Sequence, residues 1–216
     1  MIPKKLHHIW VGPRKMPSQW MDTWKKHHPD WEYYLWGNTE LNSLEFKNRE
    51  LIDLFYHYGK YDGVADLMRY ELLYEYGGFM PGADAECLRP IDELLNNQAI
   101  TVYENEYRKG YQVSPILGAS VNYSFLKFLT DYFYENCDTI KMGIPTRKAY
   151  ELVGNYILGE LVTEHTPDGL LILPSNALIG TYLNGGIGYY DSRVIYNKRY
   201  AVQHWGMGRD IYKDSI

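Results

Sequence analysis

Cysteine is scarce in this sequence, since only Cys87 and Cys137 occur among its 216 residues. Two cysteines without a Cys-x-x-Cys spacing predict neither a disulfide framework nor a zinc site, and a reducing, cytoplasmic setting is the default expectation. The first residues, MIPKKLHH, lack the apolar core of a signal peptide. No run of about 18 apolar residues occurs, so we expect no transmembrane segment, although a peripheral membrane contact stays open.

Net positive charge is also lacking, because 22 Lys and Arg stand against 27 Asp and Glu, a formal net charge of −5. The basic residues are dispersed and form no stripe, which argues against nucleic acid as a partner. Internal repeats and low-complexity tracts are absent too, so residues 1–216 are predicted to form a single domain. Aromatic residues are abundant at 16%. Most of them serve a core, and the surplus suits contacts with sugars and nucleosides.

The most informative segment runs from Tyr61 to Pro90, where a predicted helix, a glycine break, a short apolar strand and an acidic turn follow one another. Asp66 and Arg69 are three residues apart, so both project from one face of this helix, close enough to interact. Taken alone, such a pair is more often a surface ion pair worth roughly a few tenths of a kcal/mol. The apolar residues at helical spacing, which predict one buried stripe, are Val64, Leu67, Met68 and Leu72.

The helix is predicted to end at Gly77, because glycine readily adopts the left-handed conformation that closes helices. Phe79-Met80 predicts the start of a buried strand, and Asp84 and Glu86 are then placed in a turn. Carboxylates just past a strand of an α/β protein lie where such folds bind ligands. An acidic turn alone, however, is more often a solvated loop.

Together these residues resemble the sugar-binding region of glycosyltransferase family 32, and the clostridial glucosylating toxins have a related catalytic core. The resemblance rests on Asp66-x-x-Arg69, on the Tyr-Gly-Gly sequence that ends at Gly78, on the acidic turn and on the Leu-Arg-Pro sequence that ends at Pro90. A second hallmark is the opening sequence IPKKLHHIW. The resemblance implies an α/β, GT-A-like nucleotide-sugar-binding fold with a mostly parallel central sheet flanked by helices.

The resemblance also implies roles for individual residues. Trp10 is expected to stack on the nucleotide base, with Ile9 and Val11 beside it in the binding site. Asp66 and Arg69 are expected to contact hydroxyl groups of the donor sugar. The predicted catalytic set is Asp84, Asp66 and Arg69, and the remaining predicted nucleotide-sugar-binding residues are Gly78, Asp84 and Trp205.

The acidic turn departs from the family's Asp-x-Asp pattern, because Gly82 stands where the first aspartate is usual and Asp84 where the second is. The family analogy makes Asp84 a direct ligand of a divalent cation, Mn²⁺ or Mg²⁺, and makes His204 a second ligand. An imidazole ligand favours Mn²⁺. A shifted reading, with Asp84 as the first acid and Glu86 as the second, stays open, and for His204 a structural role beside its tryptophan neighbour is an equal alternative.

The implied function is retaining transfer of a sugar from a UDP- or GDP-linked donor to a hydroxyl of a glycan or lipid-linked glycan, as in polysaccharide biosynthesis. A departing diphosphate needs positive charge nearby, which a hard cation held by one or two carboxylates can supply. Because Gly82 replaces an acid, a second hypothesis is a carbohydrate- or nucleotide-binding protein with reduced or lost catalysis. An unrelated metal-dependent hydrolase is disfavoured, since no second acid-rich motif is present.

Elements outside the central segment are predicted from the same apolar periodicity. We expect a helix from Pro17 to His28 with Ser18 as its cap, and the strand-helix-strand opening implies a parallel sheet. Further helices are predicted at residues 40–58, 123–137 and 147–161, a turn at residues 184–186, and a last strand at residues 200–203.

Overall fold

The computed structural model describes residues 1–107, 113–180 and 199–206. The predicted turn at residues 184–186 lies outside them. The strands, numbered in chain order, are β1 (Lys5–Ile9), β2 (Glu32–Trp36), β3 (Gly78–Met80), β4 (Ala85–Cys87), β5 (Ala99–Tyr103), β6 (Val113–Ala119), β7 (Leu170–Leu173) and β8 (Ala201–Gln203).

Six of these strands form a central sheet in the order β2-β1-β3-β6-β5-β7. β1 pairs in parallel with β2 and β3, and β5 pairs in parallel with β7. β6 runs antiparallel to both β3 and β5. Five strands therefore point one way and one points the other way, which confirms the predicted mostly parallel sheet.

Helices cover both faces of the sheet. They are α1 (Ser18–His27), α2 (Asn38–Ser43), α3 (Arg49–His57), α4 (Tyr61–Tyr76), α5 (Ser124–Glu135), α6 (Cys137–Gly143), α7 (Ala149–Leu152), α8 (Asn155–His165) and α9 (Ser175–Leu178), with a 3₁₀ turn at Asp92–Leu94. In the part of the chain that the structure describes, none of the helices has both the length and the apolarity needed to cross a membrane.

The sheet has an apolar core on each side. The neighbouring β3 residues Phe79 and Met80 belong to different apolar clusters, as expected where successive side chains of a strand point to opposite faces. Residues of α3, α4, α5 and α8 join Met80 in the larger cluster. Trp24 of α1 and Ala177 of α9 join Phe79 in the smaller one.

Helix α4 crosses the middle of the molecule and matches its predicted span. The apolar stripe is buried as predicted, with Val64 and Met68 fully inaccessible to solvent. Gly77 ends the helix at a φ of +60°. The residue after it, Gly78, has a φ of +108°, so both positions use the left-handed region that favours glycine.

Two of the predicted helices are each divided in the structure. The helical region at residues 40–58 is split into α2 and α3. The side-chain amide of Asn48 in the link donates to Glu71 Oε1 at 3.0 Å and to the Thr130 carbonyl at 3.1 Å, which ties the link to α4 and α5. The helix predicted at residues 147–161 is split at Gly154 into α7 and α8.

The break at Gly154 has a steric reason. A Cβ atom at this position would lie 2.7 Å from Asp66 Oδ2, a distance at which something must shift. Glycine therefore lets the start of α8 approach the polar face of α4. This close approach brings Asn155, the first residue of α8, next to the residues that the sequence marked as a site.

Helix α1 occupies nearly the predicted range but is not capped by Ser18. Pro17 stands at the cap position, Ser18 is the first helical residue, and no side-chain capping hydrogen bond forms. Trp24 of this helix is fully buried, and its indole N–H donates to the Ala85 carbonyl at 2.8 Å. Helix α1 thus supports the strand that follows the acidic turn.

A second, two-stranded sheet joins the acidic turn to the C-terminal part of the chain. β4 and β8 are antiparallel, and Gln203 lies opposite Ala85 in their register. The predicted last strand is thereby confirmed. Glu86, which was predicted to lie in the turn, is part of β4, so only Asp84 remains in the turn itself.

Candidate functional site

A pocket of about 270 Å³ opens at the carboxyl end of β1, where α/β folds commonly bind ligands. Its walls come from the end of β1, the first half of α4, the acidic turn, the start of β6, the start of α8 and the C-terminal segment. Of the predicted site residues, the lining includes Ile9, Trp10, Val11, Asp66, Arg69, Asp84 and Trp205.

Asp66 and Arg69 form one wall of this pocket, which we call the helix wall. Their side chains are each only 10% exposed, and Arg69 Nη1 donates to Asp66 Oδ1. This burial excludes the surface ion pair that the spacing alone would suggest. The Arg69 Nε atom is also buried and has no hydrogen-bond partner among the described residues.

The charge state of Asp66 responds to this environment. Burial raises the pKa of Asp66 to about 7, and the neighbouring Arg69 guanidinium opposes that rise. Burial disfavours the ionised form of a carboxyl group, whereas an adjacent cation favours it. Asp66 therefore titrates near neutral pH, within reach of a ligand in the pocket.

Trp10 lies at the end of β1 with its ring half-buried in the pocket wall. Its indole N–H donates to the Arg14 carbonyl at 2.7 Å, which fixes the orientation of the ring. Ile9 and Val11 on either side are each only 7% exposed. An anchored aromatic ring between apolar neighbours is the arrangement expected of a surface on which a base stacks.

Asp84 belongs to the opposite side of the pocket, which we call the turn wall. Gln203 Nε2 donates to Asp84 Oδ1 at 2.5 Å, and the Gly206 backbone N–H donates to Asp84 Oδ2 at 2.7 Å. Burial raises the pKa of this carboxyl group, and the hydrogen bond from Gly206 opposes the rise. Asp84 thus faces the pocket with two hydrogen-bond donors on its oxygens.

His204 lies near Asp84 but faces a different neighbour. Its Nε2 atom is 2.9 Å from Glu86 Oε2, and its ring stacks on Trp20 at a centroid distance of 4.5 Å. Only the His204 backbone N–H reaches Asp84, by donating to its carbonyl at 2.9 Å. The described contacts therefore pair His204 with Glu86, and neither side chain belongs to the pocket lining.

Of two further predicted site residues, one belongs to the pocket lining and the other does not. Trp205 lines the pocket and has a φ of +59°, an uncommon conformation for a bulky residue. Gly78 does not belong to the lining. A Cβ atom there would lie 2.6 Å from His7 Nε2 and 2.6 Å from the Lys5 carbonyl oxygen, so we assign Gly78 a packing role between β3 and β1.

The sequence reasoning missed several lining residues, among them Arg14, Tyr150 and Asn155. Asn155 is 8% exposed, and its Nδ2 donates to Glu104 Oε2. Its Oδ1 atom is buried and has no hydrogen-bond partner among the described residues. No local pattern marks Tyr150 and Asn155, because they reach the pocket through the packing of α7 against α4 and of α8 against β6.

The balance of charge in the lining bears on whether a cation fits. Two guanidinium groups face four carboxyl groups, an excess of two acids (4 − 2) to which a diphosphate would add more negative charge. The residues are Arg14 and Arg69 against Asp62, Asp66, Asp84 and Glu104. An oxygen-rich, acidic lining suits a hard divalent cation that arrives with phosphate groups.

Asp84 is the residue in this lining that fits such a cation. Its two oxygens together offer about four lone-pair sites, and the described hydrogen bonds use two of them. Among the described residues, no group of three or more His, Cys, Asp or Glu side chains is arranged to hold a metal ion. Asp84 would therefore share the ion with phosphate oxygens and water, as is common for Mg²⁺.

Comparison with known proteins also indicates a glycosyltransferase. Residues 16–101 match the family described as glycosyltransferase sugar-binding region containing DXD motif. Inositol phosphoceramide mannosyltransferase 3 of Schizosaccharomyces pombe is 35% identical over 104 residues, which are 45% of this chain and 28% of that protein. Mannosyl phosphorylinositol ceramide synthase SUR1 of Saccharomyces cerevisiae is 34% identical over 101 residues, which are 44% of this chain and 26% of that protein.

A solved structure supports the fold. PaToxG Glycosyltransferase superposes with a TM-score of 0.58 at 13% identity, over 77% of this chain and 70% of that one. At this identity the likeness speaks for the fold alone, and it confirms the predicted GT-A-like architecture. The aligned part spans only about a quarter of each curated relative.

The predicted resemblance is thus confirmed over residues 16–101, which include Asp66, Arg69 and the acidic turn, whereas the opening IPKKLHHIW lies outside the matched residues. Families of the DXD type typically use a divalent metal, which agrees with the character of the pocket. Residues 16–101 are similar to the sugar-binding region of the DXD-type glycosyltransferases, and glycosyltransferase is the enzyme class that the comparisons support.

Proposed function

We propose that this protein transfers a hexose from a UDP- or GDP-linked donor to a hydroxyl of a glycan or lipid-linked glycan, with retention at the anomeric carbon. The observation that carries the proposal is the convergence of Trp10, the Asp66–Arg69 pair and Asp84 on one pocket. The curated relatives are named for mannose transfer and for inositol phosphoceramide, which favours mannose and a lipid-linked acceptor. Residues 1–216 act as one catalytic domain in this proposal, and a cytoplasmic location remains a prediction.

The donor would lie along the pocket from Trp10 to the helix wall. Its base stacks on the Trp10 ring, and its sugar hydroxyls contact Asp66 and Arg69. The buried Asn155 Oδ1 and Arg69 Nε atoms lack partners among the described residues. Because unsatisfied buried polar atoms are costly, a sugar hydroxyl that bonds either of them gains affinity and orientation.

Asp84 is the residue that would hold a divalent cation. When bound, such an ion would neutralise charge on the departing diphosphate. His204 Nε2 faces Glu86 Oε2, so His204 could join Asp84 through that atom only by leaving Glu86, and the preference for Mn²⁺ over Mg²⁺ depends on whether His204 joins. Trp205 covers the same end of the pocket and would limit the access of water to the diphosphate.

Catalysis in this proposal comes from positioning and electrostatics rather than from a covalent intermediate. Asp66 is engaged by Arg69, which makes its carboxylate a poor nucleophile toward the anomeric carbon. Holding the donor sugar and the acceptor hydroxyl in a reactive geometry can lower the barrier substantially. The proton of the acceptor hydroxyl then passes to an oxygen of the departing phosphate, as the sequence resemblance implies.

Substitution of Arg69 tests this assignment. We expect Arg69→Ala to weaken binding of the nucleotide sugar roughly 10- to 100-fold, since hydrogen bonds to a charged group are lost, and to leave binding of the free nucleotide nearly unchanged. Arg69→Lys keeps the charge but not the planar fork and should give an intermediate loss. Arg147→Ala, at a site 52% exposed, is the control. Equal loss of sugar-linked and free nucleotide would overturn the assignment.

A second candidate function is a nucleotide- or carbohydrate-binding protein without turnover. The observation that favours it is Gly82, which leaves the turn wall with one carboxylate in the pocket lining. Sugar transfer to an acceptor and metal-stimulated hydrolysis of the donor distinguish the two candidates. Tight nucleotide binding with neither reaction would favour the binding protein.

A further inference from the structure

Gly82 stands in a conformation that does not require glycine. Its φ lies outside the left-handed region, unlike those of Gly77 and Gly78. An aspartate at this position would therefore be allowed by the backbone. The reason for its absence has to be sought in the space that a side chain would enter.

That space is occupied by Gln203. A Cβ atom at position 82 would lie 3.0 Å from Gln203 Oε1 and 3.2 Å from Gln203 Nε2, as well as 3.1 Å from Asp84 Oδ1. These distances are tighter than ordinary van der Waals contact, so the amide would have to give way. The end of the Gln203 side chain thus fills the region into which a first acid would extend.

Gln203 is held in this position by the fold. Its place in β8, opposite Ala85, sets it beside the turn, and its backbone N–H donates to the Ile179 carbonyl at 2.9 Å. From there Nε2 reaches Asp84 Oδ1 at 2.5 Å. The amide therefore orients the Asp84 carboxylate from a strand distant in the sequence.

We propose that Gln203 is a positioning residue that stands in for the missing first acid of the turn wall. It orients Asp84 by a hydrogen bond, but as a neutral amide it adds no charge. Affinity for a hard cation depends on the number of charged ligands. The protein without donor therefore binds a divalent cation weakly, and the cation is recruited mainly with the diphosphate. This last step rests on the proposed function, whereas the role of Gln203 toward Asp84 does not.

Gln203→Glu tests the proposal with nearly unchanged side-chain volume. The variant brings a second carboxylate to Asp84, so we expect the protein without nucleotide to bind Mn²⁺ about tenfold more tightly or better than wild type. Calorimetric titration with Mn²⁺ alone measures this, and the rise in Tm on adding Mn²⁺ should be larger than in wild type. Gln98→Glu is the matched control, because Gln98 is exposed and precedes β5.

A single and a double variant at positions 82 and 203 test the same proposal without relying on Gln203→Glu. Gly82→Asp alone should lower the Tm, because its side chain meets the Gln203 amide. Adding Gln203→Ala should recover most of that loss and raise the affinity for Mn²⁺ above wild type. Such non-additivity is the signature of two residues that compete for one space.

Failure of the proposed role of Gln203 can be distinguished from failure of the proposed function. If Gln203→Glu and the double variant respond to Mn²⁺ as wild type does, the proposal is overturned. If they respond as expected but no nucleotide binds to any variant, the role of Gln203 stands and the proposed function fails. Metal binding without nucleotide therefore tests this inference separately from the transferase activity.

Discussion

The helix wall and the turn wall of the pocket are held in place by different forces. Asp66 and Arg69 project from α4, whose inner residues Val64 and Met68 are fully buried. Asp84 instead lies in a turn and is held by hydrogen bonds from the C-terminal segment, through the Gln203 side chain and the Gly206 backbone. Packing fixes the first wall, and contacts between segments distant in sequence fix the second.

This difference has a consequence for the proposed reaction. A wall carried by a buried helix keeps its geometry before the ligand arrives, which suits recognition of the sugar. A wall held by a few partly solvated hydrogen bonds opens at lower cost, which suits the end where a diphosphate and a cation must enter and leave. Substitutions, pH dependence and hydrogen exchange can test whether the helix wall is the more rigid of the two.

The largest effect is expected for Gly78, at the joint between α4 and β3. Gly78→Ala places a Cβ atom 2.6 Å from the Lys5 carbonyl oxygen at a φ of +108°, so the free energy of unfolding should fall by roughly 3 kcal/mol. Thermal unfolding should show a loss of roughly 6–12 °C. At a temperature where the variant is folded, nucleotide binding should persist, because Gly78 does not line the pocket.

Gly59→Ala is the matched control for this prediction. Gly59 also has a positive φ, of +67°, but a Cβ atom there meets nothing within 4 Å. The change should therefore cost only about 1 kcal/mol of backbone strain. Loss of donor binding in Gly78→Ala without loss of stability would instead support the direct binding role that the sequence resemblance implied for Gly78.

Replacement of Trp10 should weaken binding of the free nucleotide and of the nucleotide sugar equally. Trp10→Ala removes a stacking surface worth about 1–3 kcal/mol, or roughly 5- to 150-fold in affinity. The loss should be the same for the free nucleotide and the nucleotide sugar, in contrast to Arg69→Ala. Calorimetry measures both, with Tyr134→Ala, an aromatic residue 55% exposed, as the control. A loss confined to the nucleotide sugar would place the sugar, not the base, on Trp10.

The sugar-dependent part of binding should vary with pH through Asp66. Because its pKa is raised to about 7, lowering the pH from 8 to 6 protonates the carboxylate and should reduce the gain in affinity that the sugar provides about tenfold. Binding of the free nucleotide should change much less, and Asp66→Asn should abolish the difference. A sugar-dependent gain that is constant from pH 6 to pH 8 would contradict this role.

The same shift predicts the opposite trend for stability. The folded pKa of about 7 exceeds the ordinary value of 3.8, so between these values the folded state binds more protons than the unfolded state. The contribution of Asp66 to the free energy of unfolding is therefore present at low pH and is lost as the pH rises toward 7. Denaturant unfolding of wild type and Asp66→Asn across this range measures it.

The smallest effect, and the most direct comparison of the walls, is expected in amide hydrogen exchange. The His204 and Gly206 amides, which donate to Asp84, should exchange faster than the amide of Met68 within α4. Addition of nucleotide and Mn²⁺ should slow the first two and leave Met68 unchanged. Equal protection of all three amides without ligand would mean that the walls are equally rigid.

The helix wall was predicted from local patterns together with the family resemblance, which marked Asp66 and Arg69 as site residues. The apolar spacing in α4 and the three-residue separation of Asp66 and Arg69 placed both residues on one face. Their burial did not follow from spacing, because it arises from the start of α8, where Gly154 allows close approach to Asp66. The sequence pattern also gave no reason to expect a break there, so residues 147–161 were predicted as one helix.

The turn wall was predictable only in part. Asp84 was identified from its position after Gly77-Gly78, yet its partner Gln203 lies in a strand whose pairing with β4 no local pattern specifies. His204 was predicted as a metal ligand from the same neighbourhood, and its contact with Glu86 depends on side-chain packing that sequence position does not determine. The roles of both residues toward a metal remain predictions.

Calorimetric titration with UDP, GDP and their hexose conjugates, first with Mn²⁺ and then with EDTA, tests the central claim most directly. The proposed function predicts that one nucleotide class binds, that its hexose conjugate binds more tightly than the free nucleotide, and that EDTA weakens both. Absence of binding to either nucleotide class with Mn²⁺ present would contradict the proposed transfer, whereas the fold assignment and the role of Gln203 toward Asp84 do not depend on this result.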